Sequence, residues 1–286
     1  MGQNTGIKVS DEVEQRILEL HELGYGFREI AHDVGLNFGS IGRILRRCGK
    51  SPRTPSLSHR KYNIDETFFD VIDREDKAYV LGILYADGCN VRWNNSKQVF
   101  ANEVKLELNY RDKDVMDKIL SCMKNVKPLT LKKAPRGWNK EPTYLMDICS
   151  KHISERLEEL GCVQRKTKVL NYPEFLGDGL HNHFVRGYFD GDGSLALNHY
   201  PRSSPEWTIL STYDFSIHVK DILFKELGVR SGITYHSNRD NGQCYVRVPG
   251  ANQVVTVCDW LYNGATIYLN RKYETYRILK SLHLHK

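Results

Sequence analysis

Two carboxylates stand where a helix is least hospitable to them. Asp87 closes the run Val80-Leu81-Gly82-Ile83-Leu84-Tyr85-Ala86-Asp87-Gly88, and Asp192 closes Val185-Arg186-Gly187-Tyr188-Phe189-Asp190-Gly191-Asp192-Gly193, 105 positions later (192 − 87). Both runs have helical, largely apolar character and end in Asp-Gly. The C-terminus of a helix carries partial negative charge, so an acid there is unfavourable by roughly half a kcal/mol. One such acid is explained by a buried helix ending on Gly88 or Gly193 in a left-handed cap. Two, in duplicated runs, call for something positive beside them. Gly82 and Gly187 lie five residues before the acids, where a missing side chain lets two helix backbones approach closely. Packed along that seam, the helices bring Asp87 and Asp192 together, repelled by the helix dipoles and by each other. A hard cation such as Mg²⁺ resolves the conflict, taking carboxylate oxygens, the carbonyls of Ala86 and Gly191, and waters. Metals between carboxylates clamp the attacking and leaving oxygens of a phosphodiester, and two pseudo-two-fold sites would address both strands of a duplex. Asp190, two residues before Asp192, is assigned to capping or bracing the helix interface.

The elements that must position these acids repeat as well. Leu106 and Tyr110 match Ile209 and Tyr213 at an offset of 103, each ending an alternating, strand-like run. Helical segments follow at Lys113–Met123 and His218–Leu227, then further strands, helices over 153–160 and 253–262, and the triplets Arg165-Lys166-Thr167 and Arg271-Lys272-Tyr273. Offsets of 103 to 106 over five elements mark a structural duplication. Ahead of it, Ser10 reads as an N-cap, with Val13, Ile17, Leu18 and Leu20 on one helical face. A second helix is expected over Phe27–Asp33, a turn at Val34–Asn37 and a third helix over Gly39–Arg47, the order of a helix-turn-helix. Its third helix carries Arg43, Arg46 and Arg47 on a solvated face; a small bundle without a nucleic-acid role has the same pattern. From Arg43 to Lys61 there are seven Lys or Arg, Arg53 among them, and no acid. That Pro/Ser-rich stretch is either a solvated tether or a strap on a DNA backbone.

The expected division is a helix-turn-helix over 1–47, a basic linker over 48–62, and repeats over 63–176 and 177–286. Composition is compatible with this. A 40% hydrophobic content and a mean hydropathy of −0.51 argue against a membrane protein. No run approaches the roughly 20 apolar residues of a spanning helix. The N-terminus lacks an apolar signal core, and Gly6 breaks the myristoylation pattern. Seven scattered cysteines without a CxxC pair suggest reduced thiols and a cytoplasmic or other intracellular compartment, with no structural zinc. A net charge of +6 permits a polyanionic partner without demanding one.

With both motifs in view, the chain resembles the LAGLIDADG homing endonucleases in their single-chain, two-motif form. Residues 63–89, 183–195 and 260–276 carry the likeness, which extends over 63–286. The resemblance implies an α+β fold of two αββαββα repeats, a monomer with internal pseudo-two-fold symmetry whose sheets form a saddle over double-stranded DNA. It implies a metal-dependent DNA endonuclease using Mg²⁺, with Mn²⁺ or Ca²⁺ able to substitute for binding. Asp87 and Asp192 occupy the catalytic positions, whereas Tyr85 replaces an acid that is not catalytic in the family. Lys166 and Lys272 match its basic residue near the scissile phosphate, where an ammonium would stabilise phosphorane charge or activate water; the alternative is a pair of surface lysines.

Base reading is expected from hairpin tips at 93–97, 132–140, 198–204 and 237–242 and from their flanking strands. The candidates are Arg92, Lys97, Gln98, Lys105, Lys132, Lys133, Arg136, Lys140, Arg202, Arg239 and Arg247. The trio His181-Asn182-His183 is ascribed to capping and solvation. Two other functions share the scaffold: a non-cleaving transcription regulator, against which retention of both acids argues, and a group I intron RNA maturase. An intein is not expected, for the chain has neither a splicing nucleophile at its start nor a terminal His-Asn.

Overall fold

The computed structural model describes residues 9–23, 25–50, 62–94, 100–125, 127–133, 141–235 and 242–284. The chain divides into two compact units, residues 1–63 and 64–286. In the first, helices α1 (Asp11–Glu22), α2 (Phe27–Asp33) and α3 (Phe38–Arg47) bury Ile17, Leu20, Ile30, Ala31, Ile41, Ile44 and Leu45. Their starts are capped by side chains. Ser10 accepts from the Val13 N–H, Asn37 from Gly39, and the Glu29 carboxylate from Gly26. Gly35, at φ +66°, makes the turn between α2 and α3. Cys48 and Lys50, read as linker in the sequence, instead bond back to Glu14 and Glu22 of α1.

The second unit begins its repeats at α4 (Glu75–Ala86), which buries every residue from Lys77 to Tyr85. A helix apolar on all sides belongs in the interior. Strands β1 (Gly88–Asn94) and β2 (Phe100–Asn109), helix α5 (Lys113–Cys122), strands β3 (Thr130–Lys132) and β4 (Thr143–Cys149), and helix α6 (Lys151–Glu159) complete the first half. The second half follows the same order. It comprises α7 (His181–Asp192), β5 (Gly193–Ala196), β6 (Glu206–Thr212), α8 (Tyr213–Leu227), β7 (Gly232–Tyr235), β8 (Gln243–Pro249), α9 (Ala251–Tyr262) and α10 (Asn270–Leu284).

Each half contains one antiparallel four-stranded sheet, ordered β1-β2-β4-β3 and β5-β6-β8-β7. Burial alternates along β6 and β8: Trp207, Ile209, Cys244, Val246 and Val248 face the core, and their neighbours face the open side. A single hydrophobic core runs through both halves, with Tyr79, Ile83, Phe184 and Tyr188 at its centre. Among the described residues no helix is long and apolar enough to cross a membrane.

Candidate active site at the ends of two crossed helices

Helices α4 and α7 touch backbone to backbone. A Cβ on Gly82 would lie 2.1 Å from the Phe184 carbonyl oxygen and 2.9 Å from the Tyr188 nitrogen. A Cβ on Gly187 would meet the Tyr79 oxygen and Ile83 nitrogen at the same two distances. Positions 79 and 83 correspond to 184 and 188, so a pseudo-two-fold axis passes between the two glycines. Only glycine allows this approach, and it brings the C-terminal ends of both helices to one place.

Asp87 caps α4 and Asp192 ends α7. The Asp87 carboxylate lies against the other helix: a Cβ on Gly191 would be 3.0 Å from Asp87 Oδ2 and 2.4 Å from the Ala86 Cβ. Both acids reach solvent, yet dense protein on their inner sides limits their hydration. That desolvation raises both carboxyls, Asp192 to about 6 with further help from the Asp87 charge. Lys272 and Lys166 act in the opposite direction on both.

Neither lysine is a surface residue; Lys166 is 9% exposed and Lys272 6%. Their ammoniums donate to backbone carbonyls at the ends of the motif helices, Lys166 to Gly88 just past the first and Lys272 to Phe189 and Asp190 (2.9 Å) in the last turn of the second and Gly193 (2.7 Å) just past it. Gly88 and Gly193 are equivalent positions. Each lysine thus places a cation at the negative end of a helix dipole, beside an acid that the dipole alone would repel. Burial lowers Lys272 to about 8. The lysine triplets nevertheless adopt different forms. Arg165 is left-handed (φ 56°) and Lys166 opens a 3-10 turn, whereas Arg271 and Lys272 lie in the first turn of α10. Arg271 reaches the first half, its Nε 3.3 Å from both oxygens of Asp112.

Among the described residues no group of three or more His, Cys, Asp and Glu is placed to hold a metal. The protein donors at this point are therefore two carboxylates and the carbonyls of the last helical turns, which lack helical partners. An oxygen-only set with few protein ligands fits Mg²⁺, which keeps several waters and binds through one or two carboxylates and a substrate phosphate.

The expected DNA contacts divide into three groups. Arg53, Lys97, Gln98, Arg136, Lys140 and Arg239 lie outside the described residues, and Arg92 is described only in its backbone on β1. Lys133 and Arg202 are exposed outside helices and strands. Arg43 and Arg46 are exposed on α3 and bond to the carbonyls of Gly39 and Gly42. The remaining cations are paired with acids that sequence reasoning passed over: Arg47 with Glu14, Lys105 with Glu103, Lys132 with Glu107, and Arg247 with Glu206. Thr143 also donates to Glu107, so the open face of the first sheet presents acceptors as well as cations.

The trio at 181–183 is half-buried rather than solvated. Each residue is bonded: His181 to Tyr172, Asn182 to the Trp260 carbonyl, and His183 to Arg186. The capping residue is Leu180, which makes no side-chain cap.

Asp190 braces the helix interface as expected, but its partners, and the contacts of Arg186 between the halves, were missed. The fully buried Arg186 donates to the carbonyls of Ile267 and Leu261, to His183 Nδ1 and, at 2.7 Å, to Glu75 of the other motif helix. Glu75 accepts in addition from the Thr266 N–H and hydroxyl. Asp190 accepts from the Tyr79 hydroxyl and the Leu269 N–H. The available signal was a charge inside an apolar run: the first copy has Leu81 and Tyr85 where the second has Arg186 and Asp190.

No protein-family model and no curated protein matches the sequence. Solved structures do match its shape. The homing endonuclease I-WcaI, bound to its DNA recognition sequence, is 12% identical, over 80% of this chain and 96% of that one, with a TM-score of 0.53. The I-LtrWI LAGLIDADG homing endonuclease, bound to target DNA, is 13% identical over 74% and 91% respectively, with a TM-score of 0.50. With two four-stranded antiparallel sheets joined through a pair of motif helices, the chain has the LAGLIDADG homing-endonuclease fold.

Proposed function

We propose that the protein is a sequence-specific, Mg²⁺-dependent endonuclease that cuts both strands of a duplex DNA target. The observation that carries this reading is the pair Asp87 and Asp192. Two acids from different helices meet where helix dipoles and mutual repulsion oppose them, each beside a buried lysine. Such an arrangement is costly without a bound cation and suits one that bridges protein and phosphate. Mg²⁺ there supplies Lewis-acid activation of water and charge neutralisation at the phosphate. Asp87 and Asp192, with the carbonyls of Ala86 and Gly191, would hold the cation. Lys166 and Lys272 keep the helix ends from repelling a phosphate, each serving the strand nearest its own half.

The similarity to DNA-bound homing endonucleases supports duplex DNA as the substrate. Carboxylates on the open face add cytosine N4 donors to what Lys105, Lys132 and Arg247 can read. The N-terminal three-helix unit acts as a helix-turn-helix that adds affinity beside the cut through Arg43, Arg46 and Arg47. A duplex library with randomised sites, incubated with Mg²⁺ or with chelator, tests the whole reading. Wild type is expected to cut a subset of sites only with metal, and Asp87→Ala and Asp192→Ala to lose on the order of a thousandfold in rate while retaining binding. DNA that is bound but uncut under every divalent metal tried would sink it.

A further inference from the structure

Asp190 is 2% exposed, and its Oδ1 makes no hydrogen bond of ordinary geometry. Among the described residues the only hydroxyl besides Tyr79 that interacts with the carboxyl is that of the buried Tyr262. A carboxylate so placed is a poor way to stabilise a helix interface. The first half manages its equivalent position with Tyr85, whose hydroxyl reaches the Leu160 carbonyl. The other oxygen of Asp190 is fully engaged. Oδ2 accepts from the Tyr79 hydroxyl of the first motif helix at 2.7 Å and from the Leu269 N–H at 2.8 Å. Leu269 is the residue on which α10 starts: its carbonyl accepts from the N–H groups of Lys272 and Tyr273, both at 3.1 Å. One carboxylate therefore joins the first motif helix, the second motif helix and the first turn of the helix that bears Lys272. That turn sets the Lys272 ammonium among three carbonyls and 4.5 Å over the Phe189 ring.

We propose that Asp190 is a positioning residue for Lys272, and through it for cleavage of one DNA strand and not the other. The inference rests on the nuclease reading and extends it. Lys166 bonds to the Gly88 carbonyl of its own half, near the Tyr85–Leu160 and Asn90–Cys162 contacts of that half. Among the described residues no buried carboxylate ties its turn to the other motif helix as Asp190 does for Lys272. Loosening the Asp190 clamp thus frees one lysine and leaves the other in place.

The test is strand-resolved, single-turnover cleavage by the full chain of a duplex recovered from the library, each strand carrying its own label, in Mg²⁺. Lys272→Ala and Asp190→Ala are expected to slow the same strand, Asp190→Ala by about 10- to 100-fold, so that nicked duplex accumulates. Lys166→Ala is expected to slow the other strand. Tyr79→Phe, which deletes one donor without opening a cavity, shifts the strand ratio in the same direction by about fivefold. Asp190→Asn keeps an oxygen for both donors and restores the wild-type ratio. Loss of folded protein lowers both rates together and leaves the ratio untouched, so the ratio isolates positioning; if Asp190→Ala does not fold, Tyr79→Phe decides. An unchanged ratio in these variants beside a wild type that cuts both strands overturns the role of Asp190 alone. So does an Asp190→Asn shift as large as that of Asp190→Ala. A wild type that cuts nothing removes the nuclease reading, and this inference with it.

Discussion

The two halves of the second unit share a plan and differ in what holds them to each other. Both place a glycine at the helix crossing, an acid at the helix end and a lysine on the carbonyl just beyond. Around the first half's lysine the fixtures are local and neutral: Tyr85 to Leu160, and Asn90 to Ser154 and Cys162. Around the second they are charged and reach across the axis, with Glu75 on Arg186 and Thr266, Tyr79 on Asp190, and Asp112 on Arg271. Duplication therefore kept the glycines, acids and lysines at the helix crossing and let their supports diverge. Supports are free to change because many packings can hold one geometry, whereas the acids and glycines have few replacements.

The sharpest way to break this comparison is to remove Glu75. Arg186 is fully buried, and taking its carboxylate away leaves an uncompensated interior charge, so Glu75→Ala is expected to cost about 3 kcal/mol in denaturant unfolding. At the 105-residue offset, Arg186 corresponds to Leu81 of the first half and Glu75 to Leu180 of the second. The double variant Glu75→Leu/Arg186→Leu, which copies them, is expected to recover most of the loss. A double variant as weak as the single one would mean that Arg186 matters chiefly for its bonds to the carbonyls of Ile267 and Leu261.

The glycines give the symmetric control. Because the added Cβ meets a carbonyl oxygen at 2.1 Å in either case, Gly82→Ala and Gly187→Ala should destabilise alike, by about 2 kcal/mol each. Unequal melting temperatures would show that one half yields more readily at the crossing.

The smallest effect concerns Asp192. Its carboxyl is raised from 3.8 to about 6, so the folded chain holds that proton more tightly than the unfolded one. Its contribution to stability is full below the unfolded value and is lost as pH rises through about 6. In chelator at pH 7, Asp192→Asn should therefore melt slightly above wild type, and the gap should close by about pH 4. A gap that widens on acidification would contradict the sign.

Much of this was legible in the chain because duplication prints the same constraint twice. Asp87 and Asp192, Gly82 and Gly187, and Lys166 and Lys272 were found by register, and the repeat implies two sheets of like plan. The supports were not legible, since the partners of Arg186 and Asp190 lie 111 residues away (186 − 75; 190 − 79). Neither was the form of the lysine triplets, for a left-handed Arg165 has no marker in Arg-Lys-Thr. The basic residues of the sheets could be listed as cations, but their pairing with Glu103, Glu107 and Glu206 depends on strand register, which a one-residue shift would undo.

The Glu75–Arg186 contact also settles which halves suit one another. Two copies of the second half, crossed at their glycines, would set Arg186 against Leu180, a buried guanidinium facing hydrocarbon. Two copies of the first would leave Glu75 beside Leu81 with no cation to meet. Only the mixed pair satisfies both charges. If the chain were divided between residues 169 and 180, the fragments would be driven to cross-assemble rather than to self-associate. In that sense the molecule is an obligate heterodimer carried on one polypeptide.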